Sequence, residues 1–431
     1  MIFLHAIILF AISWLFFKRT GTENPFVFWG ALAFKMMMGV ALGLVYLYYY
    51  SANDTWLFFK DATILANQAH NDFGGYLQFL WSSNDGVDIW SELSNTQERS
   101  LFLVKIISLF TFITGNNYWI SALYFSLISF FASWNLFKVI SMHFPQGRTP
   151  AAIAFLFFPS IVFWSSGLVK ETLALAGIYF LTALFVKLTQ IPFEGRGNGL
   201  LQAFRRLTWW EWLLAILSFY VAWNLKYYWT ALFMAVVTSS VLFYFLQNRI
   251  LIINRFKIIS WLLIFSLLSG IVSLSHPNFY LSRVLQVLIT NHNDFVAISK
   301  DSGLIHYYNF TANWSSILIN SPWALVSGLF RPFAWEATGV SSWLAAIENL
   351  FLLVFAVALS FRRKPESGNT LLLVSALFYI ILLCVFLALS TPNLGTLSRY
   401  RVGFLPFFVF VITYRNPLLT YLFVRIRFRH K

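Results

Sequence analysis

Apolar runs long enough to cross a bilayer recur along almost the whole chain, and this pattern excludes most folds. A helix needs about 20 predominantly apolar residues to span the hydrocarbon core. Such runs fall at about 1–17, 26–50, 101–114, 118–142, 151–166, 168–189, 210–225, 228–247, 257–275, 342–361, 370–390 and 401–414. Inside a bilayer no water satisfies an open backbone, so these segments are expected to be helices. With 59% hydrophobic and 11% charged residues in a chain of 431, too little polar surface remains to coat soluble domains. The expected fold is all-α, a polytopic transmembrane helical protein forming a single transmembrane domain over residues 1–431.

The distribution of charge then sets an orientation. The formal net charge is +14, but the basic residues lie in short clusters between apolar runs: Lys18-Arg19, Arg148, Arg196 with Arg205 and Arg206, Arg249 with Arg255 and Lys257, Arg362-Arg363-Lys364, and the tail Arg425, Arg427, Arg429 and Lys431. That is the positive-inside pattern and not a basic face for nucleic acid, so no nucleic-acid partner is expected. With those clusters in the cytoplasm, crossings alternate correctly from the tail back to Tyr118, and one segment is then surplus. The short run 101–114, with Lys105 inside it and Glu98-Arg99 before it, is expected to dip into the external leaflet or lie at the interface. The count becomes about eleven crossings, with the N-terminus outside and the C-terminus inside. Two large external segments follow, at about 51–117 and 276–341. The first ten residues lack a basic n-region and a small-residue cleavage site, so the first helix is expected to be retained. The single cysteine, Cys384, excludes a disulfide within the chain and a multi-cysteine metal site.

The chemistry is therefore expected outside. The first external loop holds Asp54, Asp61, Asp72, Asp85, Asp88, Glu92 and Glu98, seven of the sixteen acidic residues. Asp54 stands apart, within a turn of the membrane boundary and among aromatics, where a carboxylate is partly desolvated. At other external helix ends stand Lys170 and Glu171, Arg331, Arg399 and Arg401. Cations kept outside against the charge bias suit a lipid phosphate, although each alone also fits snorkelling or an ion pair such as Lys170 with Glu171 or Arg331 with Glu336. A carboxylate with Arg and Lys at a bilayer surface fits sugar transfer from a lipid phosphate. Between His276 and Gly339, Arg283, His292, Asp294, Lys300, Asp301, His306, Tyr307, Tyr308 and Asn309 are expected to line an acceptor groove. Lys35 and Glu348 lie inside apolar runs with no evident partner. The Gly-rich stretch 191–199 reads as a connector, since it lacks the spacing of a phosphate loop.

The order of these parts resembles the GT-C superfamily of integral membrane glycosyltransferases, and within it the bacterial family 39 type. The residues that carry the resemblance are Asn53-Asp54-Thr55-Trp56 after the second apolar run, then Phe158-Pro159-Ser160, Ser165-Ser166-Gly167 and Lys170-Glu171, then Phe330-Arg331-Pro332-Phe333, and finally Gly395 to Arg401. The resemblance implies Asp54 as catalytic base, Lys170, Arg331, Arg399 and Arg401 as phosphate ligands, and Glu171 as a further substrate contact. It also implies a polyprenyl-phosphate-linked sugar as donor, a glycan, lipid or protein acceptor of the cell envelope, and a site facing the exterior of a bacterial cytoplasmic membrane. Asp54 is followed by Thr55 where the family's two-carboxylate versions have a second acid, and no Asp-x-Asp pair occurs at the second turn. No cofactor is therefore assigned; a divalent cation stays open through Glu171 and Asp61. Two other readings compete. One is a polysaccharide polymerase or ligase using an undecaprenyl-diphosphate-linked substrate. The other is a transporter or lipid flippase, which needs charged or broken helices at mid-membrane depth.

Overall fold

The computed structural model describes residues 1–20, 24–50, 53–82, 88–189, 207–247, 250, 253, 255–275, 277–361 and 370–422. Among them all regular structure is helical, apart from an isolated bridge between Leu304 and Asn393. The expectations for Asp85, Arg196, Arg205, Arg206, Arg249, His276, Arg362 to Lys364, the 191–199 connector and the basic tail fall outside the described residues. Among the described residues eight helices are long and apolar enough to cross a membrane: Ile2–Thr20, Pro25–Tyr48, Tyr118–His143, Lys170–Thr189, Trp209–Leu246, Lys257–Ser275, Val340–Leu359 and Thr370–Ser390. A ninth is reached if Leu394–Gly403 and Leu405–Thr413, bent by 70°, form one span. Exposed apolar side chains on these helices, such as Phe3, Leu263, Leu267 and Leu350, suit hydrocarbon as their solvent. The chain is an all-α membrane protein.

Several helices differ from the apolar runs, for local reasons. The runs 210–225 and 228–247 join in one stretch, Trp209–Leu246, whose helix is interrupted at Lys226 (φ −141°, ψ 68°). The run 151–166 is not one regular helix. Pro159 has no N–H and pushes Phe158 to extended backbone, so a π-helical turn at Ile153–Phe157 ends there and a new short helix, Pro159–Trp164, begins. The run 101–114 belongs to the 17-residue helix Glu98–Thr114, which Gly115 terminates in the left-handed region (φ 64°). The segment 276–341 contains a helix that the hydropathy of the sequence does not announce, Trp314–Phe330. Asn320, Ser321 and Pro322 dilute its apolar character, yet Asn320 and Ser321 bond to backbone within the element. Asn313, in an apparent glycosylation pattern, is its N-cap, accepting from the Ser315 amide at 3.2 Å.

The chain divides into two compact units, one of Met1–Val139, Phe155–Leu184 and Trp209–Thr230, the other of Ile140–Ala154, Phe185–Thr208 and Ala231–Lys431. In the first, the amphipathic helix Asp54–Asn71 buries Phe58, Asp61, Ala62, Leu65, Ala66 and Ala69, a helical face, against Glu98–Thr114. Asp61 is fully buried and accepts from the amides of Ser94 (3.2 Å) and Asn95 (2.8 Å) and from the Asn95 side chain (2.8 Å), which fixes the loop before Glu98. Lys105 faces the same layer and donates to the Leu80 carbonyl at 3.0 Å. Helices approach closely in this unit: a Cβ on Gly177 would stand 2.6 Å from the Ser218 carbonyl oxygen. In the second unit, Trp314–Phe330 lies along Thr370–Ser390, and a Cβ on Gly328 would collide with Cys384 Sγ.

Candidate functional site

In the first unit, one corner gathers Asp54, Lys170 and Glu171. Asp54 opens the helix Asp54–Asn71 and Lys170 opens Lys170–Thr189. Their helix starts are tied by Thr55, whose fully buried hydroxyl donates to the Leu168 carbonyl (3.0 Å) and meets Tyr118 Oη (2.9 Å). Trp56 stacks on Tyr118 at 3.8 Å and donates its indole N–H to the Gly43 carbonyl at 3.1 Å, which locks the first turn. Asp54 and Phe58 are four residues apart and share a helix face. Lys170 Nζ lies 5.4 Å from the centre of the Phe58 ring and donates to Ser100 Oγ at 2.8 Å. Both Asp54 and Lys170 are half-buried. A carboxylate and an ammonium thus stand on helix ends tied to one another through Thr55.

Behind them the turn Ser165 to Gly167 is held from several sides. Gly167 has φ 69°, a conformation that favours glycine, and its amide donates to Ser126 Oγ at 3.0 Å. Lys35 supplies a partner that the sequence did not reveal: its buried Nζ donates to Ser165 Oγ at 2.6 Å. Glu171 is fully buried and pairs with Lys226 at 2.7 Å. Lys226 is the residue at which the Trp209–Leu246 helix is interrupted, so its ammonium reaches the carboxylate from a break in the helix. Next to it, Tyr227 takes the Arg99 guanidinium over its ring at 4.0 Å. The pairing of Glu171 with Lys226 was not legible in the sequence, because it joins residues 55 positions apart.

The arginines belong to the second unit. Arg331 is matched by Glu336 through a fork, Nε to Oε1 at 2.9 Å and to Oε2 at 3.1 Å, and Nη2 to Oε1 at 2.6 Å. Glu336 also accepts from the Phe333 amide at 2.8 Å. Arg401 is 1% exposed and donates from Nη1 to Asn349 Oδ1 at 2.7 Å, while Asn349 Nδ2 donates to the Pro332 carbonyl at 3.0 Å. Asn349 therefore links Arg401 to the Arg331 turn. Glu348, the neighbour of Asn349 in that apolar helix, is near enough to interact with Arg401 electrostatically. Arg399 is half-buried in the short helix Leu394–Tyr400, which Asn393 caps by accepting from the Thr396 amide at 2.9 Å. The adjacent polar pair Glu348-Asn349 inside an apolar run was the signal in the sequence for Asn349.

The Arg331–Glu336 pair gives a pH dependence. Burial raises the Glu336 carboxyl, but the Arg331 hydrogen bonds, the Phe333 amide and the Arg331 charge outweigh it, so it lies below its ordinary value. The unfolded chain then takes up a proton at higher pH than the folded one. The contribution is complete above the ordinary glutamate range and is lost as pH falls through it towards the folded value. Between about pH 6 and about pH 4, the thermal midpoint of the wild type is expected to fall more than that of Glu336→Gln; parallel curves would remove the pair from the account.

Of the residues expected along an acceptor groove, two bond to the end of an apolar helix. A His292 Nδ1–H donates to the Leu389 carbonyl (2.7 Å) and Tyr307 Oη to the Ala388 carbonyl (2.8 Å), so both satisfy the end of Thr370–Ser390. His306 lies 3.4 Å from Asp301, and both are exposed. Among the described residues no three His, Cys, Asp or Glu side chains gather as a metal site requires. Comparison of the chain with protein-family models, curated proteins and solved structures finds no match.

Proposed function

We propose that this protein is a membrane-embedded glycosyltransferase that moves a sugar from a polyprenyl-phosphate donor to a cell-envelope acceptor outside a bacterial cytoplasmic membrane. Support comes from one observation above all, the corner in which Asp54 and Lys170 begin two helices tied by the Thr55–Leu168 hydrogen bond. Asp54 takes the proton of an acceptor hydroxyl. The acceptor oxygen then attacks the anomeric carbon of the donor, and the bond from that carbon to the phosphate oxygen breaks with its electrons going to the phosphate. Lys170 meets the charge that develops on the leaving phosphate. Glu171 and Lys226 neutralise one another behind the corner, so neither competes with Asp54 or Lys170 for substrate. The expected outcome is transfer of radiolabelled sugar by the purified protein in detergent.

A second reading, transport or lipid flipping, is favoured by one specific feature. Arg401 and Glu348 bring charge into apolar helices, and the pair Leu394–Gly403 and Leu405–Thr413 is bent by 70° beside Arg401, as broken helices are in transporters. Movement of a lipid-linked sugar across sealed vesicles, with no new glycosidic bond, would select that reading.

A further inference from the structure

Three helices of the first unit meet behind Asp54, and each brings two consecutive residues. Glu98–Thr114 brings Arg99 and Ser100 from its first turn, Lys170–Thr189 opens with Lys170 and Glu171, and Trp209–Leu246 brings Lys226 and Tyr227 at its interruption. Consecutive residues of a helix do not face each other, so each pair reaches two different neighbours. Arg99 lies over the Tyr227 ring at 4.0 Å, Lys226 meets Glu171 at 2.7 Å, and Lys170 donates to Ser100 Oγ at 2.8 Å. Every helix gives one cation to the next, and the three contacts close a ring.

The cations stand where helices by themselves disfavour them. A positive charge in a first turn opposes the helix dipole, yet Arg99 and Lys170 are both there. The links also differ in strength. Lys226 and Glu171 are buried, where salt screens little, and they hold Lys170–Thr189 against Trp209–Leu246. Arg99 is exposed, and its stack on Tyr227 sets how the first turn of Glu98–Thr114 meets the other two helices. Phe102 meets Tyr220 edge-on at 5.6 Å, so the same two helices stay in contact further along when the stack is removed. Ser100 is buried, and the placement of that first turn therefore decides where the Lys170 ammonium is held.

We infer that this ring positions Lys170: Ser100 holds its ammonium, and Tyr227 sets Ser100 through Arg99. Ser100 and Tyr227 are positioning residues, acting through Lys170. Their effect on rate rests on the proposed sugar transfer, whereas the ring itself does not.

The full chain in a nonionic detergent is treated briefly with an amine-acylating reagent. Mass spectrometry gives the rate at Lys170 relative to that at Lys300, which is exposed. Ser100→Ala is expected to raise this ratio roughly tenfold, as loss of a hydrogen bond to a charged group implies. Tyr227→Leu, which changes neither Lys170 nor Ser100, is expected to raise it about two- to fivefold, and Tyr227→Phe, which keeps the ring face, to restore the wild-type ratio. In the transfer assay Ser100→Ala and Tyr227→Leu are expected to lower kcat with KM unchanged, since Lys170 meets charge that develops in the transition state. An unchanged ratio in Ser100→Ala or Tyr227→Leu, or a Tyr227→Phe protein that behaves as Tyr227→Leu does, overturns the ring. If Tyr227→Leu does not fold, Arg99→Leu takes its place with the same expected rise, and an unchanged ratio there overturns it. A wild type that transfers no sugar removes the proposed function and leaves the acylation ratios to decide the ring. An active wild type whose ratios do not move keeps the function and removes the ring.

Discussion

Asp54→Asn is expected to lower sugar transfer by roughly 10²- to 10⁴-fold, the usual contribution of a positioned general base, while leaving the protein folded. The amide has nearly the shape of the carboxylate but cannot take a proton from an acceptor hydroxyl. Asp54 is half-buried at the first position of its helix, where loss of the charge removes a favourable term with the helix dipole of about 0.3–1 kcal/mol. The locks on that turn, Thr55 to Leu168 and Trp56 to Gly43, do not involve the carboxylate. Rates in detergent with a radiolabelled donor and thermal midpoints of both proteins are to be compared. Retained transfer with an unaltered midpoint would assign the base elsewhere or favour the polymerase alternative.

Glu171→Gln has the largest expected effect on stability. Glu171 is 0% exposed and Lys226 6% at the side chain, 2.7 Å apart. Removing one member of a buried pair leaves a charge out of water, at a cost of about 3–5 kcal/mol. Tyr228 Oη, 3.3 Å from Lys226 Nζ, and the rings of Tyr228 and Trp229 at 5.8 and 5.5 Å replace little of the lost attraction. The double change Glu171→Leu with Lys226→Met is expected to recover much of the loss, since apolar replacement of a buried pair is often close to neutral. Thermal unfolding of the three variants checks this. A single variant as stable as the wild type would mean that water reaches the pair.

The membrane character and helical class were legible because apolar run length is a property of consecutive residues. What the sequence concealed depended on contacts between distant residues or on local backbone. Trp314–Phe330 was hidden because Asn320, Ser321 and Pro322 dilute its apolar character, and Asn320 is satisfied both within the helix and by the backbone of Tyr308, twelve residues earlier. Pro159 broke a run whose hydropathy looked continuous. Asp54, Lys170 and Glu171 were picked out as charges at external turns, and the three do share a corner of the first unit. Their roles were not visible: Asp61 is a clasp for a loop, Glu171 is paired with Lys226, and Arg331 is matched by Glu336. Only the last of these pairings is between residues close enough in sequence to be read as a pair.

A double-mutant cycle on sugar transfer, with Asp54→Asn, Lys170→Met and the two combined, tests most directly whether the acid and the ammonium act on one substrate. Coupled effects are predicted: each single change lowers transfer strongly, and the combined protein is little worse than Asp54→Asn alone. Losses that simply multiply, or a Lys170→Met enzyme as active as the wild type, would contradict a shared chemical site at this corner.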